Sequence, residues 1–141
     1  MLPETAGHAA TFAAVFAALF VAHQVADHWI QTQHQADHKG GPGWPGRLAC
    51  LAHVTTYTLT ALAALLALVL VLALPLDPAR VAAGLAVSAF THYLADRRIP
   101  LRRMADAIGK NADWLDHGGG MYALDQSLHY LFLFVAALVI A

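Results

Sequence analysis

Two stretches of the 141-residue chain carry a histidine and an aspartate four residues apart: His23-Gln24-Val25-Ala26-Asp27 and His92-Tyr93-Leu94-Ala95-Asp96. A third pair runs in the opposite order, from Asp125 to His129, and His53 opens a further apolar run. Residues i and i+4 share a helix face, so each pair offers an imidazole nitrogen and a carboxylate oxygen to one region of space. Helices hold divalent metals in this way. Imidazole and carboxylate without thiolate suit zinc, manganese, iron or nickel. The single cysteine, Cys50, excludes an internal disulfide and a thiolate cluster, and reads as a small buried apolar residue.

Four histidines and three aspartates exceed what one tetrahedral ion needs. Two divalent ions, three carboxylates and a bridging hydroxide would be neutral together, which suits a partly buried setting and predicts a dinuclear hydrolytic centre with water as nucleophile. Two metals stabilise both the attacking and the leaving oxygen of a phosphoester. The competing reading is structural, with His and Asp hydrogen-bonding between helices and the other polar groups reaching the interface. Covalent catalysis has no support: there is no Gly-x-Ser-x-Gly, Walker loop or Gly-x-Gly-x-x-Gly, and Ser88 and Ser127 lie in no special context.

The elements that must position these residues are apolar. The chain is 59% hydrophobic and 12% charged, against roughly 45–50% and about 25% in soluble domains. A bilayer is the expected solvent. Runs at about 9–30, 48–74, 78–97 and 121–141 read as spans of a single domain. The first has just enough residues before its polar end to cross ~30 Å of hydrocarbon. No Lys or Arg precedes it and it leads into His23 and Asp27, so it reads as a retained span rather than a signal peptide. Asp77 is the expected N-cap of the third run, with Pro78 at its first helical position.

Between spans one and two, the segment 33–47 contains Gly40-Gly41-Pro42-Gly43-Trp44-Pro45-Gly46 and reads as an irregular loop. Trp29 and Trp44 fall where interfacial aromatics belong. Residues 101–115 are amphipathic and predict a short helix on the membrane surface, or a lid, ended by Gly118-Gly119-Gly120.

In an alternating chain the end of span one, the start of span two, the end of span three and the start of span four share one side. His23, Asp27, His53, His92, Asp96, Asp125 and His129 all lie there. So do Lys39, Arg47, Arg97, Arg98, Arg102, Arg103 and Lys110, with Arg80 alone opposite. The positive-inside rule puts that side in the cytoplasm and both termini outside. The expected fold is therefore an all-α integral membrane protein, a four-helix transmembrane bundle. Its halves repeat as span, His-x-x-Ala-Asp, loop, and a span opening with His, which predicts a pseudo-twofold axis along the membrane normal.

Gln31 and Gln126 are placed to orient ligands or bind substrate. Tyr57 and Tyr93 could do the same, or anchor the interface. Arg97 and Arg98 adjoin the site and could hold a phosphate or an anionic lipid, a better fit than nucleic acid. His28 faces elsewhere on its helix, while His34, Asp37, His38 and His117 read as solvated. Transport is disfavoured because the far side offers little besides Asp77 and Arg80. Apolar surface left by four short spans would suit a homodimer.

These motifs in order, His23-x-x-Ala-Asp27-x-x-x-Gln31-Thr32, His53, His92-x-x-x-Asp96 and Asp125-Gln126-x-x-His129, resemble a family of small bacterial membrane proteins catalogued as a domain of unknown function. The resemblance covers nearly the whole chain. One departure is His28, where the family usually has an apolar aromatic after its first Asp. More distantly, the chain is similar to inner-membrane metal-dependent hydrolases associated with the DNA-damage response. That likeness implies hydrolase chemistry with embedded His and Asp. The expected function is a membrane-embedded metal-dependent hydrolase holding one divalent ion or, the favoured count, two (Zn, Mn or Fe), acting on a phosphoester or lipid-linked substrate at the cytoplasmic face of a bacterial inner membrane. A non-enzymatic metal-binding or partner-binding membrane protein is the alternative.

Overall fold

The computed structural model describes residues 4–141, with side chains from residue 7, and contains helices and connecting turns among those residues. Helix α1 (Glu4–Val25) runs into a π-helical turn, Ala26–Ile30. There follow α2 (Gln33–His38), α3 (Gly43–Leu72), α4 (Pro78–Asp96), α5 (Ile99–Ala107), α6 (Ala112–Asp116) and α7 (Gly120–Ile140). Three stretches, Gly7–Ile30, Gly43–Leu72 and Gly120–Ile140, are long and apolar enough to cross a membrane. The chain is an all-α, multi-span membrane protein. Helix α4 has 19 residues, and Arg80, His92 and Asp96 make it less apolar than the other three.

Alanine and leucine favour these long helices, and their ends follow from local chemistry. At the start of α4 the Asp77 carboxylate accepts from the Ala79 and Arg80 amides at 2.8 and 3.0 Å, with Pro78 in the first turn. Helix α3 stops at Ala73, which takes a left-handed conformation (φ 51°) just before Pro75.

Helix α1 packs on α3 and α7, and α4 packs on the same two. At one end of the molecule Arg80 donates to the carbonyls of Val139 and Ala141, and His8 Nδ1 lies 3.2 Å from the Ala141 carbonyl. The start of α1, the start of α4 and the end of α7 therefore meet there. The histidines and aspartates gather at the other end. Between them the core is apolar: Val15, Leu19 and Ala22 of α1, Tyr57, Ala61 and Leu65 of α3, Leu85 of α4, and Leu133, Ala136 and Ile140 of α7. A Cβ on Gly84 would lie 2.4 Å from Ile140 Cγ1 and 3.0 Å from the Ala136 carbonyl, so α4 and α7 approach as closely as a glycine permits. Leu70, Val71, Phe90 and Leu131 point outward, as lipid-facing side chains do.

Two connections differ from expectation. Residues 33–47 are largely helical: Thr32 and Gln35 form a reciprocal capping box that starts α2. Helix α3 then begins at Gly43, because Pro45 sits in a first turn, where backbone amides need no helical partner. The amphipathic segment 101–115 is two helices, not one. The chain reverses through Gly109 (φ 72°), and Asn111 caps α6 by accepting from the Trp114 amide at 3.0 Å.

Candidate metal centre

Helix α1 brings His23 to the polar end of the core, and the π-helical turn that follows carries Asp27. The extra residue in that turn, closed by the Gln31 amide on the Ala26 carbonyl at 2.8 Å, resets the helix phase beyond His23. Asp27 Oδ2 then lies 3.5 Å from His23 Nε2, and Oδ1 lies 3.4 and 3.7 Å from the Nε2 atoms of His53 and His92. His28 falls on the exposed side, with Nδ1 3.0 Å from the Gln24 carbonyl.

From α3 and α4, His53 and His92 point their Nε2 atoms at each other across 3.0 Å, and Asp96 Oδ2 sits 3.3 and 3.2 Å from the two. From α7, His129 packs its ring against His23 and His92, with centroids 4.9 and 4.3 Å away. The Asp125–His129 pair is arranged differently from the other two. His129 Nδ1 lies 2.8 Å from the backbone carbonyl of Asp125 and 3.6 Å from its carboxylate. In the tautomer protonated at Nδ1, Nδ1–H donates to that carbonyl and Nε2 keeps its lone pair, as metal-binding histidines require.

Ligand atoms lie within 4.8 Å of one another in three overlapping groups: His23, His92 and His129; Asp27, His53 and His92; Asp96, Asp125 and His129. All seven side chains singled out by spacing thus reach one region. His23, His53, His92, Asp96 and His129 are buried, and the Asp27 side chain is only 8% exposed. Among the described residues, eight buried side-chain nitrogen and oxygen atoms have no hydrogen-bond partner; seven belong to His23, Asp27, His53, His92, Asp96 and His129, and the eighth is Gln31 Nε2. Native structures leave few such atoms, and each costs about 1–3 kcal/mol when nothing replaces its water. The cluster is buried, held by a membrane-embedded helical protein, and geometrically able to chelate a divalent metal ion.

Residues 15–141 match the model of the family described as "Protein of unknown function (DUF3307)". The chain belongs to this family. The matched stretch contains every member of the cluster. Neither the curated proteins nor the solved structures contain a match to it.

In this DUF3307 chain the cluster rests on a polar surround that contains Tyr57 and Gln126, both named from the sequence, and also Gln24, Ser88 and Tyr130, which spacing did not reveal. Tyr57 stacks on His92, with centroids 4.1 Å apart, and its hydroxyl meets Ser88 at 2.5 Å. Gln24 Nε2 donates to the Tyr130 hydroxyl at 2.9 Å. Tyr130 in turn donates to Gln126 Oε1 at 3.1 Å, and Gln126 Nε2 donates to Asp125 Oδ2 at 3.3 Å. Gln126 therefore holds a carboxylate of the cluster. Gln31 lies half-buried one turn beyond Asp27. Tyr93 contributes its carbonyl, 3.7 Å from Cys50 Sγ, and none of its side-chain atoms hydrogen-bonds a described residue.

Lys39 is the largest addition. Its ammonium reaches Asp96 Oδ1 at 2.7 Å, and the residue is 8% exposed. The approach is fixed by Arg97, which donates to the carbonyls of Lys39 and Gly41, both at 2.6 Å. Gly46 completes the clamp, since a Cβ there would lie 2.1 Å from the Gly41 carbonyl. Arg97 thus secures a loop, whereas Arg98 extends to the surface beside it. The exposed residues His34, His38 and His117 take no part in the cluster, and His117 pairs with Asp113 at 3.1 Å.

Proposed function

We propose that this chain is a membrane-embedded metal-dependent hydrolase acting on a phosphoester at the cytoplasmic face of a bacterial inner membrane. The observation that carries the reading is the meeting of His and Asp ligand atoms in three overlapping groups, with His23 Nε2, Asp27 Oδ1, Asp96 Oδ2 and His129 Nε2 left without a hydrogen-bond partner. Hydrogen-bonding glue would have paired those atoms with one another. An ion of zinc, manganese or iron bound there would supply Lewis acidity and a water of lowered pKa. The residues of the chain supply the remainder: Tyr57 fixes the plane of His92, Gln126 aims Asp125, and the Asp125 carbonyl sets the tautomer of His129.

Lys39 alters the number of ions that best fits. Its ammonium and one divalent ion balance the three carboxylates, so we take a single ion as the resting state rather than two. The groups Asp27–His53–His92 and Asp96–Asp125–His129 share no member, so a pair could be held if Lys39 left Asp96.

The wider frame is a four-helix transmembrane bundle, with α4 as the fourth span and both termini outside. A pseudo-twofold axis would relate α1 and α3 to α4 and α7, exchanging His23 with His92, Asp27 with Asp96, and His53 with His129. Packing of α1 and α4 on the same two helices is what such an axis requires.

The test is hydrolysis of p-nitrophenyl phosphate and bis(p-nitrophenyl) phosphate by detergent-purified protein loaded with zinc, manganese or iron. Turnover should vanish with chelator and fall at least about a hundredfold in Asp27→Asn, since ligand loss removes the ion. A metal-loaded protein that cleaves neither ester would sink the hydrolase reading and favour a metal-binding membrane protein without catalysis.

A further inference from the structure

Beside the cluster lies a cavity of about 340 Å³, lined by Arg98, Leu101, Leu115, Met121, Tyr122 and Asp125 among others. It opens between the α5–α6 hairpin and the start of α7, outside the apolar core. Asp125 belongs both to this lining and to the group formed with Asp96 and His129, so the cavity and the cluster share a wall.

Arg97, Arg98, Arg102 and Arg103 follow one another near this cavity, and the structure separates their roles. Arg97 is committed to the carbonyls of Lys39 and Gly41. Arg102 is committed to Asp116 and Asp106, whose carboxylates raise its proton affinity, Asp116 most, and tie α5 to α6. Arg103 does not line the cavity. Arg98 lines it and makes no side-chain hydrogen bond to any described residue. Its φ is positive (58°, with ψ −37°), a conformation that costs energy outside glycine, and its stem lies against Gly40, where a Cβ would be 3.1 Å from Arg98 Cδ.

Building on the metal-site reading, we propose that this cavity is the substrate entrance and that Arg98 binds the phosphate group of an organic phosphomonoester, with its organic part against Leu101, Leu115 and Met121. An unpaired guanidinium presents parallel donors matched to phosphate oxygens, and Asp125, a residue that would help hold the ion, lines the same cavity. The volume is at the small end of ligand pockets, enough for a phosphate and a ring or short chain. The phosphate could belong to a lipid headgroup or to a soluble ester.

Binding of phenyl phosphate, a small probe, to zinc-loaded protein by titration calorimetry tests this, with zinc content measured on the same samples. Arg98→Gly removes the side chain and suits the positive φ, so the fold should persist. It should keep its zinc and weaken phenyl phosphate binding about tenfold or more, the loss expected of a charge-assisted hydrogen bond. Arg98→Lys should recover part of the affinity, and Arg103→Ala should stay within about twofold, as surface charge alone contributes little. Zinc-loaded Arg98→Gly binding as tightly as the wild type would overturn the inference and leave the metal site standing. A wild type without zinc would overturn the metal site, and the entrance with it. Protein in phosphatidylcholine nanodiscs, with and without phosphatidate, separates the two sources. Competition by phosphatidate assigns the cavity to a lipid headgroup, and undisturbed phenyl phosphate binding assigns it to a soluble ester.

Discussion

Asp96 receives Lys39 at 2.7 Å while facing His53 and His92 at 3.3 and 3.2 Å, so one buried carboxylate serves both an ammonium and two imidazoles. Removing one partner of a buried ion pair costs about 3–5 kcal/mol, because the other charge stays buried and unpaired. Lys39→Met should therefore lower the stability of metal-free protein by about that amount. Added zinc should restore more stability to the variant than it gives the wild type, since an ion can replace the missing cation. Thermal unfolding in detergent, with and without zinc, reads both effects; equal zinc responses would mean that Lys39 does not balance the cluster. Tyr57 permits a finer separation. Tyr57→Phe keeps the ring on His92 and loses the Ser88 contact, which should cost about 0.5–1.5 kcal/mol and leave metal content unchanged. Tyr57→Ala should cost about 3–5 kcal/mol and loosen the metal as well. At this scale six of the seven clustered His and Asp residues were legible in sequence because i, i+4 spacing is a local property of a helix, and His53 because it is a histidine at the start of an apolar run. Lys39 was not, since its approach depends on Arg97 gripping two carbonyls 58 and 56 residues away. In sequence it reads as one more positive charge on a loop.

Helix contacts raise a different question, that of how closely two elements can approach. Gly84 lets α4 approach α7 closely, against Ile140 and the Ala136 carbonyl. Gly84→Ala should destabilise the protein by about 1–3 kcal/mol by forcing the helices apart, and Ile140→Ala in the same chain should recover part of it. Comparing single and double variants by denaturation in mixed micelles checks this; no recovery would place the strain at the carbonyl instead. Such a crossing leaves no trace in the sequence beyond one glycine in an apolar run. Caps left clearer signals, and Asp77-Pro78 marks the start of α4 as written. The glycine- and proline-rich stretch misled in the other direction: Thr32 and Gln35 cap a helix that the density of breakers concealed, and the first turn of α3 tolerates Pro45 and Gly46. The π-helical turn that carries Asp27 was equally hidden, because a one-residue change in helix phase alters no residue type.

The whole chain is governed by the contrast between an apolar middle and one polar end. That contrast was legible from composition alone, because a bilayer selects for it. Whether the polar end faces the cytoplasm is a prediction from charge. A cysteine at position 110, replacing Lys110, should resist an impermeant maleimide in intact cells, whereas one replacing Pro75 should react; buried Cys50 need not be removed first. The reverse pattern would invert the topology. Everything proposed for the site still depends on the cluster holding an ion. Elemental mass spectrometry on detergent-purified protein, beside His92→Ala and Asp96→Ala, addresses this most directly. We predict about one divalent ion per chain in the wild type and its loss from both variants. A wild type that remains free of metal after reconstitution with zinc, manganese and iron would contradict it and leave the histidines and aspartates as a polar core between helices.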